Sequence, residues 1–169
     1  LFRTGAITVL IDPGMGRARM MGCLEEVEPQ GFIAIPLVQA IRSLLRRRFV
    51  NARLNVTVGR RWWWSGSTLE QIRALGADAP FCAATQADDP AAIIFTTGST
   101  GPPKGVLYSH GNFDQQVVRI RDEYHIAPGE IDLAGFPLFG LFNAAMGVTT
   151  VIPQMDFTRP ARVNPQNII

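Results

Sequence analysis

The stretch that most constrains this chain is Thr96-Thr97-Gly98-Ser99-Thr100-Gly101-Pro102-Pro103-Lys104-Gly105, which comes directly after the apolar run Ala91-Ala92-Ile93-Ile94-Phe95. A short apolar run that ends in turn residues predicts a buried strand. The Gly, Ser, Thr and Lys after it would present backbone N–H groups, hydroxyls and one ammonium to a phosphate. Of the 16 basic residues only Lys104 is a lysine. A compact ammonium on a flexible stem suits a mobile polyphosphate better than a rigid guanidinium fork does.

The spacing is not that of a Walker P-loop, which needs Gly directly before Lys and Ser or Thr directly after it, opening a helix. Here Pro103 precedes Lys104, Gly105 comes next, and Val106-Leu107-Tyr108 reads as strand. No helix dipole is expected at the phosphate. Pro102 and Pro103 carry no N–H, which leaves the amides of Gly98 to Gly101, the hydroxyls of Ser99 and Thr100, and Lys104 as donors. The alternative is a plain Gly/Ser/Thr/Pro surface turn. Strand, donor run and solitary lysine together weigh against it.

At 169 residues the chain is long enough for one domain or a large part of one. It is 47% hydrophobic and only 18% charged, against about 25% charged in ordinary domains. A core is therefore within reach, with apolar surface left over for absent partners. The net charge of +2 and the short run Arg46-Arg47-Arg48 point to a solvated helix end, not to nucleic acid. Cys23 and Cys82 have neither metal-ligand nor CxxC spacing, so two packed thiols in a reduced, cytoplasmic setting are expected. No apolar run reaches the roughly 20 residues of a spanning helix. No signal peptide is visible, and the chain does not begin with Met.

Taken in order, Leu1 to Gly5 reads as the last turn of a helix closed by glycine. Ala6–Ile11 reads as a strand, Asp12-Pro13-Gly14 as a turn, and Met20, Leu24 and Val27 as one face of a helix reaching about Glu28. Gly31–Ile35 is a second strand, and Pro36 opens a helix with Leu37, Ile41, Leu44 and Leu45 on one face. Leu54–Val58 is a third strand, and Ser67 would cap a helix carrying Leu69, Ile72 and Leu75. Strands alternating with helices over short joints imply an α/β fold with a mostly parallel sheet flanked by helices. In Arg60-Arg61-Trp62-Trp63-Trp64, base stacking, a membrane surface and a packed or lightly exposed loop are all open; the absence of further aromatic–basic alternation favours the loop. Asp88 and Asp89 read as turn residues. Beyond the Gly-rich stretch, Gly105–Ser109 is a strand, and Phe113, Val117, Ile120 and Tyr124 line one helix face. Ile131–Phe136 is a further strand. Phe136, Phe139 and Phe142, spaced by three, either line one side of an acyl cavity or are simple core packing.

Ile93 through Lys104 resembles the signature of the adenylate-forming enzymes: acyl-CoA synthetases, luciferases and peptide-synthetase adenylation domains. The resemblance implies that Thr96, Thr97, Gly98, Ser99, Thr100, Gly101, Lys104 and Gly105 hold the β- and γ-phosphates of ATP, with Mg2+, while a carboxylate attacks the α-phosphorus. In this reading Lys104 is the catalytic residue, neutralising charge on the departing pyrophosphate. In many of these enzymes a His comes after Pro-Leu-Phe; Gly140 stands there here, which leaves more room beside the reacting carbonyl. Phe136, Phe139, Gly140 and Phe142 form the expected acyl pocket.

Phe136-Pro137-Leu138-Phe139, Val148-Thr149-Thr150-Val151-Ile152-Pro153 and Met155-Asp156-Phe157-Thr158-Arg159-Pro160 are similar to the branch that makes β-lactones in bacterial long-chain olefin biosynthesis. Val9 to Gly14 and Ile35-Pro36-Leu37 fit the same branch. It implies a 2-alkyl-3-hydroxy fatty acid that is adenylated and then closed on itself by its 3-hydroxyl, with the other olefin-biosynthesis enzymes as candidate partners. The alternatives are a fatty acyl-CoA or acyl-AMP ligase, separated by use of CoA, and a non-catalytic nucleotide-binding protein.

No Thr-Glu pair occurs in the chain, so the glutamate that serves magnesium in the family has no counterpart and no metal ligand is expected here. The family's ribose-gripping Asp and C-terminal lysine would lie beyond Ile169. The expectation is a fragment, inactive alone, of the large N-terminal AMP-binding domain. Residues 1–84 would supply its first βα units and 91–169 its phosphate loop and acyl-pocket segment, without the C-terminal domain.

Overall fold

The computed structural model describes residues 1–76, 81–96, 102–135, 139–156 and 159–168. These residues form an α/β protein whose contacts divide it into two compact units, Leu1–Ala83 with Ile94–Val106, and Ala84–Ile93 with Leu107–Ile169. The segment flanking the Gly-rich stretch groups with the first residues of the chain.

In the first unit, a short 3-10 turn at Phe2–Thr4 ends at Gly5 in the left-handed conformation, as the terminal glycine predicts. Strand β1 (Thr8–Ile11) leads through a turn in which the Gly14 N–H donates to Asp12 Oδ1 at 2.8 Å. Helix α1 (Arg17–Val27) comes next. Strand β2 (Gly31–Ala34), helix α2 (Pro36–Leu44), strand β3 (Leu54–Thr57), strand β4 (Ser67–Thr68) and helix α3 (Leu69–Leu75) complete the βα run. β2, β3 and β4 lie side by side in that order. Both pairings are parallel, with Gly31 opposite Leu54 and Thr57 opposite Thr68. A Cβ on Gly31 would collide with the Leu54 carbonyl oxygen, so only glycine lets β3 start this close to β2.

α2 is the crossover that a parallel pair requires, and it is bound to the sheet through a polar side chain. Gln39 is fully buried; its Nε2 donates to the Phe32 carbonyl at 3.1 Å and the Val56 carbonyl at 3.0 Å. Its Oε1 accepts from Arg42 Nε at 2.8 Å. Of the four residues expected on the apolar face of α2, Leu37, Ile41 and Leu44 are exposed, Leu44 by 75%, and Leu45 is partly buried. Pro36 does stand at the first helical position. The cap of α3 is also one residue away from the expected Ser67. Thr68 Oγ1 accepts from the Gln71 N–H, and Gln71 Oε1 accepts from the Thr68 N–H. Ser67 is held in β4 opposite Val56. Of the two thiols, Cys23 is buried but Cys82 is exposed, which corrects the expectation of two packed cysteines.

Strands β5 (Pro90–Thr96) and β6 (Lys104–Ser109) form a second sheet with β1, in the order β1-β5-β6. The second unit continues with helix α4 (His110–Tyr124), strand β7 (Ile131–Leu133), helix α5 (Phe139–Met146) and strand β8 (Thr149–Val151). β7 and β8 pair in parallel, Ile131 opposite Thr149, with α5 as their crossover. Phe142, Met146 and Val148 make the core of this unit, with Phe113, Val117, Ile120 and Ile126 packed against it. Three of the four residues expected on the apolar face of α4 are therefore inside, while Tyr124, the fourth, is exposed. Buried Asn143 ties α5 to both strands: its Nδ2 donates to Asp132 Oδ2 at 2.7 Å and to Thr150 Oγ1 at 3.1 Å.

Candidate phosphate site

β5 is anchored by its first residues and by Phe95. Ala91 and Ala92 are fully buried and Phe95 nearly so, whereas Thr96, the last residue of the strand, is exposed. Small residues let the strand sit at the middle of its sheet, between β1 and β6, while its C-terminal end emerges at the surface. Thr97, Gly98, Ser99, Thr100 and Gly101 lie outside the described residues. The chain re-enters at exposed Pro102, and Lys104 and Gly105 open β6, both exposed.

The two described ends of the Gly-rich stretch thus leave one strand and enter its neighbour, with the side chains of Thr96 and Lys104 open to solvent. Among the described residues Lys104 makes no ion pair and no hydrogen bond; the ion pairs there are Arg48–Glu25 at 3.1 Å and Arg121–Asp122 at 3.2 Å. With no carboxylate partner among the described residues, the Lys104 ammonium is open to a ligand. An exposed position lets its stem swing, a property that suits a departing polyphosphate.

The turn from β6 into α4 is fixed by caps. Ser109 Oγ accepts from the Asn112 N–H at 3.2 Å, and Asn112 Oδ1 accepts from the Ser109 N–H at 2.9 Å, so a capping box starts α4. The connector before β5 closes onto this same helix start. The His110 N–H donates to the Asp89 carbonyl at 3.0 Å, and the Gly111 N–H to the Ala87 carbonyl at 2.7 Å. A Cβ on Gly111 would stand 3.0 Å from that carbonyl oxygen, tighter than the neighbouring backbone can readily accept. Asp89 Oδ2 accepts from the Gln86 N–H at 2.7 Å, the turn role its position predicts. Gly111 and Asn112 fix the start of α4, and sequence reasoning missed both. The Ser109-x-x-Asn112 spacing was the signal for the cap, but the close pass at Gly111 has no local signature.

The residues expected at an acyl wall divide. Phe136 and the side chain of Phe139 lie outside what the structure describes. Phe142 is packed among side chains of α4 and α5, 6.2 Å from the Phe113 ring, and belongs to the core. Gly140 backs onto β8: a Cβ there would lie 3.4 Å from Thr150 Cγ2, an ordinary van der Waals contact. Among the described residues no group of three or more His, Cys, Asp or Glu is placed to hold a metal ion. No helix among them is long and apolar enough to cross a membrane.

On this α/β scaffold the Gly/Ser/Thr stretch is flanked by Thr96, delivered to the surface by a buried strand, and by exposed Lys104, which has no ion pair among the described residues and opens the next strand. The chain belongs to the AMP-binding enzyme family, whose model matches residues 1–159. The similarity is strong to the olefin beta-lactone synthetase of Xanthomonas campestris pv. campestris, 48% identical over 169 residues, 99% of this chain and 30% of the relative. The olefin beta-lactone synthetase of Stenotrophomonas maltophilia is also 48% identical, over 98% of this chain and 30% of its own length. The chain thus spans about 30% of the length of these two relatives. Among solved structures, an anthranilate CoA ligase in complex with anthranoyl-AMP superposes with a TM-score of 0.71 at 16% identity, covering 90% of this chain and 32% of that one. A benzoate CoA ligase from Burkholderia xenovorans LB400 superposes with a TM-score of 0.70 at 18% identity, covering 98% and 32%. At those identities the likeness is one of fold, and it is to part of a larger adenylate-forming enzyme.

Proposed function

We propose that this chain is the phosphate-gripping portion of an enzyme that uses ATP to activate a long-chain 2-alkyl-3-hydroxy fatty acid as its acyl-adenylate and then closes it to a β-lactone. The observation that carries the reading is 48% identity, sustained over 99% of the chain, to a protein described as an olefin beta-lactone synthetase. Lys104, exposed beside the Gly/Ser/Thr stretch and without an ion pair among the described residues, supports the first half of the reaction.

ATP is a substrate here. The fatty-acid carboxylate attacks the α-phosphorus, an acyl-phosphate bond forms, and the bond to the leaving pyrophosphate breaks. Thr96 through Gly101 supply N–H and hydroxyl donors to the β- and γ-phosphates. Lys104, carrying a full charge on a mobile stem, moves with the pyrophosphate as negative charge builds on it. In the second half-reaction the 3-hydroxyl attacks the activated carbonyl of the same molecule, forming the ring ester bond and expelling AMP, while the hydroxyl proton passes to solvent. Because nucleophile and electrophile are already joined, little translational entropy remains to be lost. Magnesium would neutralise charge on the triphosphate; the described residues offer it no ligand cluster, and no step is assigned to it.

In a protein with the length of the relatives, Lys104→Ala slows ATP–pyrophosphate exchange about a hundredfold, the loss expected for one preorganised charge contact to the transition state. The exchange is measured with labelled pyrophosphate and a 2-alkyl-3-hydroxy acid. An unchanged rate removes the loop from the mechanism. Exchange that proceeds normally but ends in an acyl-CoA, with no lactone formed, rejects the second half of the proposal alone.

A further inference from the structure

All three tryptophans of the chain occur in one loop, directly after two arginines, and the proposed chemistry uses none of them. The loop stands in the first unit at the C-terminal end of β3. It is built so that one indole holds it and two are presented. Trp64 is 5% exposed, and its Nε1 donates to the buried Thr57 Oγ1 at 2.9 Å. Trp62 and Trp63 lean on that anchored ring at centroid distances of 5.4 and 5.2 Å and on each other at 5.7 Å. They nevertheless remain 49% and 64% exposed. Arg61 Nη1 donates to the Gly66 carbonyl and closes the loop on itself. The wedge is therefore braced at its base and apolar at its tip.

Its surroundings continue the same character. The Val58 N–H donates to the Ala34 carbonyl at 2.9 Å, and a Cβ on Gly59 would lie 3.8 Å from Pro36 Cγ, so the ends of β2 and β3 meet here. Ile35, Leu37 and Val58, at this end of the sheet, are exposed. Arg60 is exposed and makes no ion pair among the described residues. A shallow cavity of about 460 Å³ beside the loop is lined by Gly59, Arg60, Arg61, Thr68, Glu70 and Gln71. It offers guanidinium donors to a phosphate, and the Glu70 carboxylate as an acceptor to a hydroxylated headgroup.

We propose that this loop docks the protein on an anionic lipid surface, Trp62 and Trp63 entering at headgroup depth and Arg60 and Arg61 meeting lipid phosphates. Indoles are amphipathic and sit at the boundary between headgroups and acyl chains, and basic side chains beside them add attraction to anionic lipid. Single-stranded nucleic acid would use the same rings by stacking. It has no use for the exposed aliphatic side chains around them, and no second aromatic–basic stretch extends the track. The inference is independent of the nucleotide chemistry above.

The test mixes the full chain with vesicles of phosphatidylcholine alone, or with about one-third phosphatidylglycerol, a level that gives a clearly negative surface. With phosphatidylglycerol present, tryptophan emission shifts to the blue, and lipids brominated near the headgroup quench it. Trp62→Ala with Trp63→Ala, or Arg60→Gln with Arg61→Gln, weakens vesicle binding about tenfold or more. Unchanged near-ultraviolet circular dichroism of the arginine variant shows that Trp64 stays seated. The proposal is overturned if bromine leaves the emission unchanged, or if both variants bind like the parent. It is equally overturned if a single-stranded oligonucleotide quenches the indoles where vesicles do not. Indoles already shielded from acrylamide without lipid, in a protein of the relatives' length, would show a protein surface on the loop and also sink it.

Discussion

Gln39 joins α2 to both strands that the helix connects. It satisfies the Phe32 and Val56 carbonyls of two neighbouring strands while its own oxygen holds Arg42 Nε. Burial pushes the Arg42 guanidinium below its ordinary value, but from so high a start that it stays charged at neutral pH. Gln39→Leu therefore strands two carbonyls and one charged donor, and should cost about 1–3 kcal/mol, read as a lower urea midpoint with unchanged slope. The two thiols give a second residue-scale prediction. Burial, aided by the Glu26 carboxylate, pushes Cys23 up from its ordinary value, whereas Cys82 is exposed. At pH 8 iodoacetamide should label Cys82 first and reach Cys23 only on unfolding, as peptide mapping would show. A raised thiol value means that the fold favours the protonated form. The corresponding stability is complete below the ordinary thiol range and is lost as pH rises through the folded value.

At the scale of elements, caps decide where the helices begin. Ser109→Ala removes half of the box that starts α4 and should lower stability by about 1 kcal/mol, measured by thermal or denaturant unfolding; Ser109→Asp should restore most of it. Much of this scale was legible in the sequence. Pro36 marks the first turn of α2, Gly5 a helix end and the run from Ala91 a strand, because each signal is local and steric. Where the reading failed, the deciding fact was not local. Ser67 and Thr68 are equally good caps by composition, and pairing of Ser67 with Val56 settles which one is used. Periodicity correctly places Leu37, Ile41 and Leu44 on one side of α2, but it does not reveal that Gln39, on the other side, faces the sheet. The same limit applies to the phenylalanines. Spacing by three does not distinguish a cavity wall from a core, and the packing of α5 on α4 places Phe142 in the latter.

For the molecule as a whole, an exposed aliphatic face on α2 accompanies a chain that spans about 30% of the length of its relatives. Leu44→Gln should leave the stability of this chain within about 0.5 kcal/mol of the parent, since the side chain has little to lose. It should also reduce binding of a hydrophobic dye, and a large loss of stability would show that the face is packed after all. The Gly-rich stretch and the two strands that flank it were legible because they are written in consecutive residues. Their supports, such as Gly111 against Ala87, join residues far apart in the chain. The single lysine has one further consequence. A protease specific for lysine has one bond to cleave in these 169 residues, the one after Lys104. A bound triphosphate should shield that bond, so the proportion of uncleaved chain on a gel would report occupancy of the site with no turnover required.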